Sequence, residues 1–479
     1  MSLTTRTDDG WAATRFAVLG FGTAGYASAD SLLQAGAENV RVLDDRDNEQ
    51  LREKAQILET LGATVTLGPG STAELPEGTE IVVTSPGIPP HAPLLAAAAA
   101  GGVPIWSEIE LAWRLRDPAN AAPWLCVTGT NGKTTTVQML TAILRAAGHR
   151  AVAAGNVGLP LLEVVMDPEP YDVIAVELSS YQLHFTHSMS AHSAVVLNLA
   201  PDHVDWHGSL EAYAEDKGRI YQNCQVACVY NVADPATEKL VEEADVIEGC
   251  RAIGFTLGTP GLSMVGMVDD LLVDRAFVEQ RATSALELAS LKDITPPAPH
   301  NVANALAAAA LARAFGVPAT AVRDGLRGFR PDAHRIAQVA EVAGVNYVDD
   351  SKATNPHAAQ ASLLAYEHVV WIAGGQAKGA TFDELVIAAH KRLRGVVLLG
   401  QDKAVIAEAL ARHAPDVPVI TIEATDTGVM ETVVGEATKL AQVGDTVLLA
   451  PGCASWDMFA NYGARGDAFA AAVHRLGDH

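Results

Sequence analysis

Short apolar runs that end in polar residues recur along the whole chain. In the first third they read RFAVLG, VRVLDD and EIVVTSPG, with a helix-length segment at residues 24–35 between the first two. The middle third contains YDVIAVELSS and SAVVLNLAPDH, and the last third contains NYVDDSKATN, HVVWIAGG, RGVVLLG, PVITIE and TVLLAPG. Continuous apolar runs of this length suit strands that are buried on both faces of a parallel sheet. The pattern therefore predicts three successive α/β blocks.

Two polar segments that contain proline separate these blocks. They read RLRDPANAAP at residues 114–123 and GLRGFRPDAHR at residues 325–335. We therefore expect three domains, at residues 1–115, 116–330 and 331–479. The first and third are predicted to be Rossmann-like, and the central one is predicted to be a parallel-sheet domain with a P-loop.

The central block opens with WLCVTGTNGKTTTVQML, in which a loop lies between a strand and an amphipathic run. A standard P-loop would have glycine where Val127 stands, but the strand–loop–helix context is the one that phosphate binding requires. Backbone N–H groups near Asn131 and Gly132 and the helix N-terminus would face phosphate oxygens, Lys133 would reach the terminal phosphates, and Thr134 would offer a hydroxyl to Mg²⁺. The sequence predicts ATP binding here. The alternative is a turn with an incidental Gly-Lys-Thr.

A second glycine-rich motif, GFGTAG, spans residues 20–25 and also follows a strand. Asp44 ends the next strand, about where an acid that binds ribose would lie. Alone, the motif would suggest a dinucleotide oxidoreductase. With a separate ATP loop downstream, a holder for a nucleotide-linked substrate is favoured, with the diphosphate at residues 22–25. A plain turn that needs small residues is the third option.

Polar groups at the ends of the next two strands suit Mg²⁺. Glu177 ends VIAVE, and His203 follows VVLNL within APDHVDWH. A hydrogen-bonded core histidine is the alternative for His203. The spacing around Lys217 indicates an ordinary solvated helix face. Asn301 and Asn304 lie three apart near a helix start and could contact the base or ribose, or be one capping and one surface asparagine.

Composition narrows the possible partners. The 479 residues carry a formal net charge of −24, which gives no basic surface for nucleic acid. No apolar run reaches about 18 residues, and the N-terminus lacks an apolar stretch of signal-peptide length, so we expect a cytoplasmic protein with no membrane partner. The five cysteines are interpreted as reduced, small apolar residues, with metal binding at Cys224 and Cys228 a minor alternative.

Seven motifs together resemble the Mur ligases. In order they are TGTNGKTTT, VELSSYQL, LNLAPDHVDWH, HNVANALAA, DAHR, VDDSKATNPHA and LLAPGCASWDMF, and the resemblance runs over about residues 14–476. It implies a three-domain, ATP-dependent ligase of cytoplasmic peptidoglycan precursor synthesis. DDSKATN, GFGTAG and SPGIP most resemble the D-glutamate-adding branch. That branch joins D-glutamate to UDP-N-acetylmuramoyl-L-alanine through an acyl phosphate.

The resemblance also implies roles for individual residues. Lys133, His203 and a carbamylated Lys217 would be catalytic. The expected ligands of one Mg²⁺ ion are Thr134 and Glu177, and those of a second Mg²⁺ ion are His203 and Lys217. The expected ATP contacts are Gly129, Thr130, Asn131, Gly132, Lys133, Thr134, Thr135, Asn301, Asn304, Arg335 and Asp350. The expected contacts with the other two substrates are Gly22, Thr23, Asp44, Arg46, Ser85, Asn156, Thr354, Lys378, Ser455 and Tyr462.

Some features depart from this resemblance or leave alternatives. Gln376 stands where several relatives carry an acid, and Tyr462 stands where phenylalanine is familiar. A folylpolyglutamate synthase-like ligase would share the ATP loop but usually lacks a domain like residues 14–113. A nicotinamide-dependent oxidoreductase rests on GFGTAG alone, and a non-catalytic nucleotide-binding regulator leaves Glu177 and His203 unexplained. A monomer is expected.

Overall fold

The computed structural model describes residues 8–280, 282–331, 333–423 and 428–477. Within them lie three β-sheets, one for each block that the apolar runs predict. The chain divides into two units, residues 1–294 with 301–329, and residues 295–300 with 330–479. The first two sheets belong to the first unit, and the third belongs to the second.

The first sheet has five parallel strands in the order β3-β2-β1-β4-β5, which is the Rossmann order without its sixth strand and confirms that prediction. Its strands are β1 Arg15–Leu19, β2 Asn39–Asp44, β3 Thr64–Leu67, β4 Ile81–Thr84 and β5 Ile105–Ser107. Its helices are α1 Asp8–Ala13, α2 Thr23–Gln34, α3 Glu49–Thr60, α4 Pro93–Ala100 and α5 Glu108–Leu115. Strands β1 and β4 are almost wholly buried, as their continuous apolar runs predict.

The second sheet has nine strands in the order β14-β13-β12-β11-β10-β9-β6-β8-β7. The strands from β7 to β12 in this order are parallel, and β13 and β14 add an antiparallel edge. The strands are β6 Trp124–Thr128, β7 Ala151–Gly155, β8 Val173–Glu177, β9 Ser193–Val196, β10 Ala227–Asn231, β11 Arg251–Phe255, β12 Met264–Val268, β13 Leu271–Asp274 and β14 Leu286–Ser290. The helices are α6 Lys133–Ala146, α7 Leu161–Val165, α8 Ser180–His184, α9 Val204–His207, α10 Leu210–Gly218, α11 Pro235–Glu242, α12 Pro299–Ala314 and α13 Ala319–Gly328, with 3₁₀ turns at Arg219–Tyr221 and Leu291–Asp293.

The third sheet has six strands in the order β15-β16-β20-β17-β18-β19, parallel except for the edge strand β15. Its strands are β15 Ala337–Val342, β16 Val345–Asp349, β17 Val369–Gly374, β18 Leu393–Leu399, β19 Val419–Thr421 and β20 Thr446–Leu449. Its helices are α14 Pro356–Leu363, α15 Asp383–Ala389, α16 Lys403–His413, α17 Val429–Leu440 and α18 Tyr462–Gly477, with a 3₁₀ turn at His390–Arg392.

The structure corrects the second joint. Helix α13 continues to Gly328, so residues 325–328 of the predicted joint are helical, and residue 332 lies outside the described residues. The alanine tracts at 96–100 and 307–310 are helical, as predicted. Across the described part of the chain, no helix is both long enough and apolar enough to span a bilayer.

Candidate active site

The loop between β6 and α6 lies at the carboxyl edge of the central sheet. Strands β8 and β9 both pair with β6, so their ends meet this loop. Gly132 precedes α6 with φ 83°, in the left-handed region that favours glycine. A Cβ there would lie 2.4 Å from Asn304 Oδ1, so the absent side chain lets the loop lie against Asn304. Asn301 and Asn304 are 6% and 7% exposed, so the alternative of a surface asparagine is wrong.

Asn198, which the sequence analysis missed, fixes the shape of this loop. Its Oδ1 accepts the Asn131 N–H at 2.9 Å, its Nδ2 donates to the Asn131 carbonyl at 3.1 Å, and its own carbonyl accepts the Thr130 N–H at 3.0 Å. The signal was present, because Asn198 directly follows the apolar run of β9 in the sequence VVLN.

Lys133 is the first residue of α6, and its ammonium lies over the loop. The Nζ donates to the carbonyls of Gly129 at 2.8 Å and Thr130 at 2.9 Å. The hydroxyl-bearing residues Thr134 and Thr135 follow in the first helical turn, where backbone N–H groups have no partner within the helix. The loop, the helix N-terminus and the ammonium together form an anion-binding arrangement.

Lys217 lies buried against the same loop, so the interpretation as a solvated helix face is wrong. It is 2% exposed, and its Nζ donates to the Gly129 carbonyl at 3.0 Å and to Thr128 Oγ1 at 3.4 Å. Burial, together with the positive charge of Lys133, lowers the pKa of Lys217 well below its ordinary value of 10.5. The buried side of α10 consists of Tyr213, Asp216 and Lys217, which no apolar pattern reveals.

Glu177, the last residue of β8, brings a carboxylate to this edge. It is 2% exposed, and its Oε1 accepts a hydrogen bond from Asn156 Nδ2 at 2.8 Å. Its Oε2 is buried and has no hydrogen-bond partner within the described residues. A buried carboxylate oxygen without a partner beside a phosphate-type loop fits a cation ligand, because such groups are otherwise almost always paired.

His203 is placed differently from Glu177 and Lys217. It precedes α9 with φ 53°, and its side chain is 42% exposed, with Nε2 3.5 Å from Asp202 Oδ2. Its ring lies 4.9 Å from the Tyr181 ring. It is therefore not a core histidine, and its imidazole is accessible at the surface of this region.

Asp216, also missed from the sequence, ties the helices beside the site together. Its Oδ2 lies 2.8 Å from Nδ1 of both His184 and His207, and His207 Nε2 lies 3.0 Å from Ser180 Oγ. Burial alone would raise the pKa of Asp216, but the bonds from the two imidazoles outweigh it and lower the pKa from 3.8 to about 2. This network holds α8, α9 and α10 around the position of Lys217.

The GFGTAG loop forms hydrogen bonds with residues that the sequence predicts to lie in the same site. The Phe21 N–H donates to Asp44 Oδ2 at 2.6 Å, and Arg46 donates to both oxygens of Asp44. Ser85 Oγ donates to the Gly20 carbonyl at 3.2 Å. Gly22 precedes α2, whose first residue is Thr23. The structure therefore brings Gly22, Thr23, Asp44, Arg46 and Ser85 to one edge of the first sheet.

In the second unit, Asp349 is the last residue of the buried strand β16, and Asp350 follows it. Asp349 Oδ2 lies 2.6 Å from His334 Nδ1. Asp350 accepts hydrogen bonds from Ser362 Oγ and from the Ile336 N–H at 3.2 Å. Burial raises the pKa of Asp350 to about 7 in spite of these bonds. Arg335, between His334 and Ile336, is half-buried.

The other residues predicted in this unit lie in two places. Lys378, which has φ 51°, has its Nζ 4.3 Å from the centre of the Trp456 ring. The residue before Trp456 in the sequence is the buried Ser455. Tyr462 begins α18, and Lys352 Nζ lies 3.9 Å from the centre of its ring. The structure thus adds Trp456 and Lys352 to the predicted residues. Thr354 is half-buried, and its N–H donates to the Lys352 carbonyl at 2.8 Å.

Comparisons with known proteins identify the family of this chain. Three family models match: Mur ligase MurD-like, N-terminal domain at residues 14–107; Mur ligase middle domain at residues 127–312; and Mur ligase, glutamate ligase domain at residues 334–453.

Individual relatives match over nearly the whole chain. The UDP-N-acetylmuramoylalanine--D-glutamate ligase of Streptomyces avermitilis is 66% identical over 98% of this chain and 99% of its own length. The enzyme of that name from Streptomyces coelicolor is 66% identical over 96% of this chain and 98% of its own length. The fold is similar to that of MurF ligase from Thermotoga maritima in complex with ADP, with a TM-score of 0.57, 16% identity, and coverage of 99% of this chain and 98% of that one. The chain belongs to the Mur ligase family.

Proposed function

We propose that this chain is an ATP-dependent ligase that joins D-glutamate to UDP-N-acetylmuramoyl-L-alanine in the cytoplasm. Two relatives that are named UDP-N-acetylmuramoylalanine--D-glutamate ligase, and that are 66% identical over nearly their whole length, support this assignment. The observation that carries the chemistry is the grouping of Lys133 and buried Lys217, both bonded to the Gly129 carbonyl, at the sheet edge where Glu177 ends β8.

ATP would bind at residues 129–135. The N-terminus of α6 and the Lys133 ammonium would hold the phosphates, because both present positive charge at one place. Asn301 and Asn304, both buried residues of α12, would offer amide groups to the base or ribose, and Asn304 lies against Gly132 of this loop. Arg335 and Asp350 remain part of the proposed nucleotide set on the strength of the family resemblance.

Mg²⁺ fits the same edge of the sheet. Glu177 Oε2 is buried without a partner in the described residues, and Glu177 and Thr134 are the proposed ligands of one ion. His203 and the carbamylated Lys217 are the proposed ligands of a second ion. When bound, Mg²⁺ would neutralise negative charge on the phosphates and on the substrate carboxylate. Asn156 would hold the Glu177 carboxylate in place through its bond to Oε1.

Lys217 is suited to carbamylation because its burial and the adjacent Lys133 favour the neutral amine. The ammonium would first lose a proton, and the neutral amine nitrogen would then add to the carbon of CO₂. An N–C bond forms, one C=O π bond becomes the C–O⁻ of the carbamate, and the nitrogen releases a second proton, so that a cation becomes an anion. The carbamate keeps one N–H, which can still donate to the Gly129 carbonyl.

The reaction would proceed in two transfers. An oxygen of the L-alanine carboxylate attacks the γ-phosphorus of ATP, and the bond to ADP breaks, giving an acyl phosphate. The D-glutamate amine then attacks the acyl carbon, and inorganic phosphate leaves as the amide forms. Lys133 would stabilise charge on the transferring phosphoryl group, and the bound geometry would supply most of the remaining acceleration.

The two remaining substrates would contact separate groups of residues. The uridine diphosphate end is assigned to Gly22, Thr23, Asp44, Arg46 and Ser85 on the first sheet. The D-glutamate carboxylates are assigned to Thr354, Lys378, Ser455 and Tyr462. The domain boundaries at 115/116 and 330/331 and the monomeric state also belong to this proposal.

The deciding experiment measures phosphate release from ATP and Mg²⁺ with UDP-N-acetylmuramoyl-L-alanine. Four reactions are compared, with D-glutamate, L-glutamate, L-lysine or no amino acid. We expect phosphate release only with D-glutamate. We also expect a product whose mass equals the mass of UDP-N-acetylmuramoyl-L-alanine plus that of D-glutamate, less one water. Release that requires a different amino acid would move the chain to another branch, and release in none of them would reject the ligase function.

Carbamylation of Lys217 has its own test. The initial rate is measured in buffer depleted of CO₂ and again after bicarbonate is added, with Lys217→Arg as the matched variant that keeps the positive charge. We expect bicarbonate to restore the wild-type rate and to leave Lys217→Arg inactive. A wild-type rate that is the same in both buffers contradicts the carbamate, even if the ligase activity itself is present.

A further inference from the structure

A cluster of three cysteines lies at the amino-terminal edge of the central sheet, opposite the edge that carries the ATP loop. Cys224 lies just before β10, Cys228 is the second residue of β10, and Cys250 directly precedes β11. Their three sulfur atoms all lie within 4.8 Å of one another, and the Sγ atoms of Cys228 and Cys250 are 3.7 Å apart. We propose that these three cysteines form a binding site for Zn²⁺, with solvent as the fourth ligand.

The sulfur spacing fits this metal. Zinc–sulfur bonds of about 2.3 Å in a tetrahedral arrangement place two sulfurs about 3.8 Å apart. The Cys228–Cys250 separation already has this value, and small rotations of Cys224 would complete a triangle of ligands. Thiolate sulfur selects zinc over Mg²⁺, which prefers oxygen, so this site would be chemically distinct from the Glu177 region.

The backbone holds the three cysteines together without a disulfide. The Cys224 carbonyl accepts the Ile247 N–H at 3.0 Å, and the Cys250 N–H donates to the Ile247 carbonyl at 3.0 Å. Cys228 is fixed by the pairing of β10 with both β9 and β11. Sites held on paired strands and hydrogen-bonded turns need little rearrangement to bind an ion.

The partial exposure of the cysteine cluster and the negative charge near it also favour the binding of a cation. Cys224 and Cys228 are 0% and 2% exposed, whereas Cys250 is half-buried and opens the cluster on one side. Four carboxylates, those of Glu242, Glu243, Asp245 and Glu248, precede Cys250 within nine residues of sequence and would raise the local concentration of cations. In the thiol form Cys224 Sγ donates to the Ala227 carbonyl at 3.3 Å, a weak bond that metal binding would replace.

The competing explanation is that three small apolar residues simply pack together, since buried cysteines often behave in this way. The test uses the full-length chain, purified in reducing buffer without a metal-affinity tag. The protein is incubated with Zn²⁺, passed over a chelating resin with Mg²⁺ present, and its zinc content is measured by mass spectrometry. Variants Cys250→Ser and Cys228→Ser are compared with Cys453→Ser, a buried cysteine of the second unit.

We expect one zinc per chain in the wild type and in Cys453→Ser, and none in Cys250→Ser or Cys228→Ser. If Cys228→Ser does not fold, Cys250→Ser decides the result, because this side chain is partly exposed. Zinc should also raise the Tm of the wild type and leave the Tm of Cys250→Ser unchanged. A wild type that retains no zinc, or a Cys250→Ser variant that retains as much as the wild type, overturns the proposal.

Cobalt distinguishes this site from the ligands proposed for Mg²⁺. Co²⁺ bound by thiolates gives a sulfur-to-metal charge-transfer absorption, which oxygen and nitrogen ligands do not give. We expect this absorption in the wild type and its loss in Cys250→Ser. Its absence from the wild type, or its persistence in the variant, contradicts a cysteine site. A disulfide between any two of the three cysteines, found by peptide mapping in the reduced, zinc-treated protein, would also overturn it.

Discussion

Two glycine-rich loops in the first unit follow parallel strands and precede helices, yet they are built differently. The loop after β1 is held by Asp44, whose charge is paired with Arg46. The loop after β6 is held by the neutral side chain of Asn198, and two lysines donate to its Gly129 carbonyl. Both loops offer a helix N-terminus to an anion.

This difference suits the first loop to binding a ligand that does not react, and the second loop to binding one that does. Around the first loop, opposite charges already neutralise each other, so a diphosphate would meet a fixed shape with little excess charge. Around the second loop lie the Lys133 ammonium and the buried Oε2 of Glu177, which has no hydrogen-bond partner among the described residues. These two groups can respond to a ligand whose charge changes during a reaction. Groups that stabilise charge as it develops raise kcat, whereas uniform binding lowers KM.

The largest expected effect is at Lys133. Lys133→Ala should lower kcat by about 10³-fold, because it removes the cation that we propose stabilises the phosphoryl group. Phosphate release under saturating substrates measures this, with far-UV circular dichroism as the check on folding. Lys239→Ala, which removes an exposed lysine of α11, is the control and should keep wild-type turnover. Near-normal turnover in Lys133→Ala would contradict the catalytic role of the second loop and remove the proposed difference between the two loops.

Glu177→Gln should lower turnover by about 10²-fold and raise the Mg²⁺ concentration needed for half-maximal rate. The substitution keeps an oxygen for Asn156 and removes only the charge. Turnover measured across a Mg²⁺ titration gives both values. The matched control is Glu163→Gln, an exposed residue of α7. An unchanged Mg²⁺ dependence would remove Glu177 from the proposed ligands.

Gly25→Ala should disrupt the first loop and leave the second intact. A Cβ at Gly25 would lie 1.8 Å from the Gly20 carbonyl oxygen, which is backbone and cannot rotate away. We expect destabilisation of about 3 kcal/mol and a raised KM for the UDP-linked substrate. Thermal unfolding is compared with that of Gly22→Ala, whose Cβ would meet nothing within 4 Å. Equal Tm values in the two variants would show that this loop adapts freely.

The smallest expected effect is that of Asp216→Asn, which should change how the free energy of unfolding depends on pH. The folded pKa of Asp216, about 2, lies below its ordinary 3.8, so its stabilisation is present above about pH 4 and is lost as pH falls toward 2. The shift corresponds to about 2 kcal/mol. The difference in unfolding free energy between wild type and Asp216→Asn, measured by urea titration, should have this size at pH 6 and shrink as pH falls. A difference independent of pH would contradict the bonds to His184 and His207.

The fold was accessible from the sequence where strands are long, apolar and buried, as in β1, β8 and β17. The predictions did not include β7, whose sequence AVAAG consists of small residues, or the antiparallel edge β13 and β14. Glu177 was recognised because it ends such a strand. Lys217 was misread from its spacing because the buried side of α10 is polar, and Asn198 was missed because its contacts join residues 67 positions apart.

The contacts of Asn198 have a thermodynamic consequence for nucleotide affinity. Ordering the backbone of one residue costs about 1–2 kcal/mol, and a phosphate loop that was loose in the free protein would lose this freedom only when its ligand arrived. Here Asn198 bonds both backbone groups of Asn131 and the N–H of Thr130 within the folded chain. The loss of entropy therefore accompanies folding, and the free energy of phosphate contacts remains available for affinity.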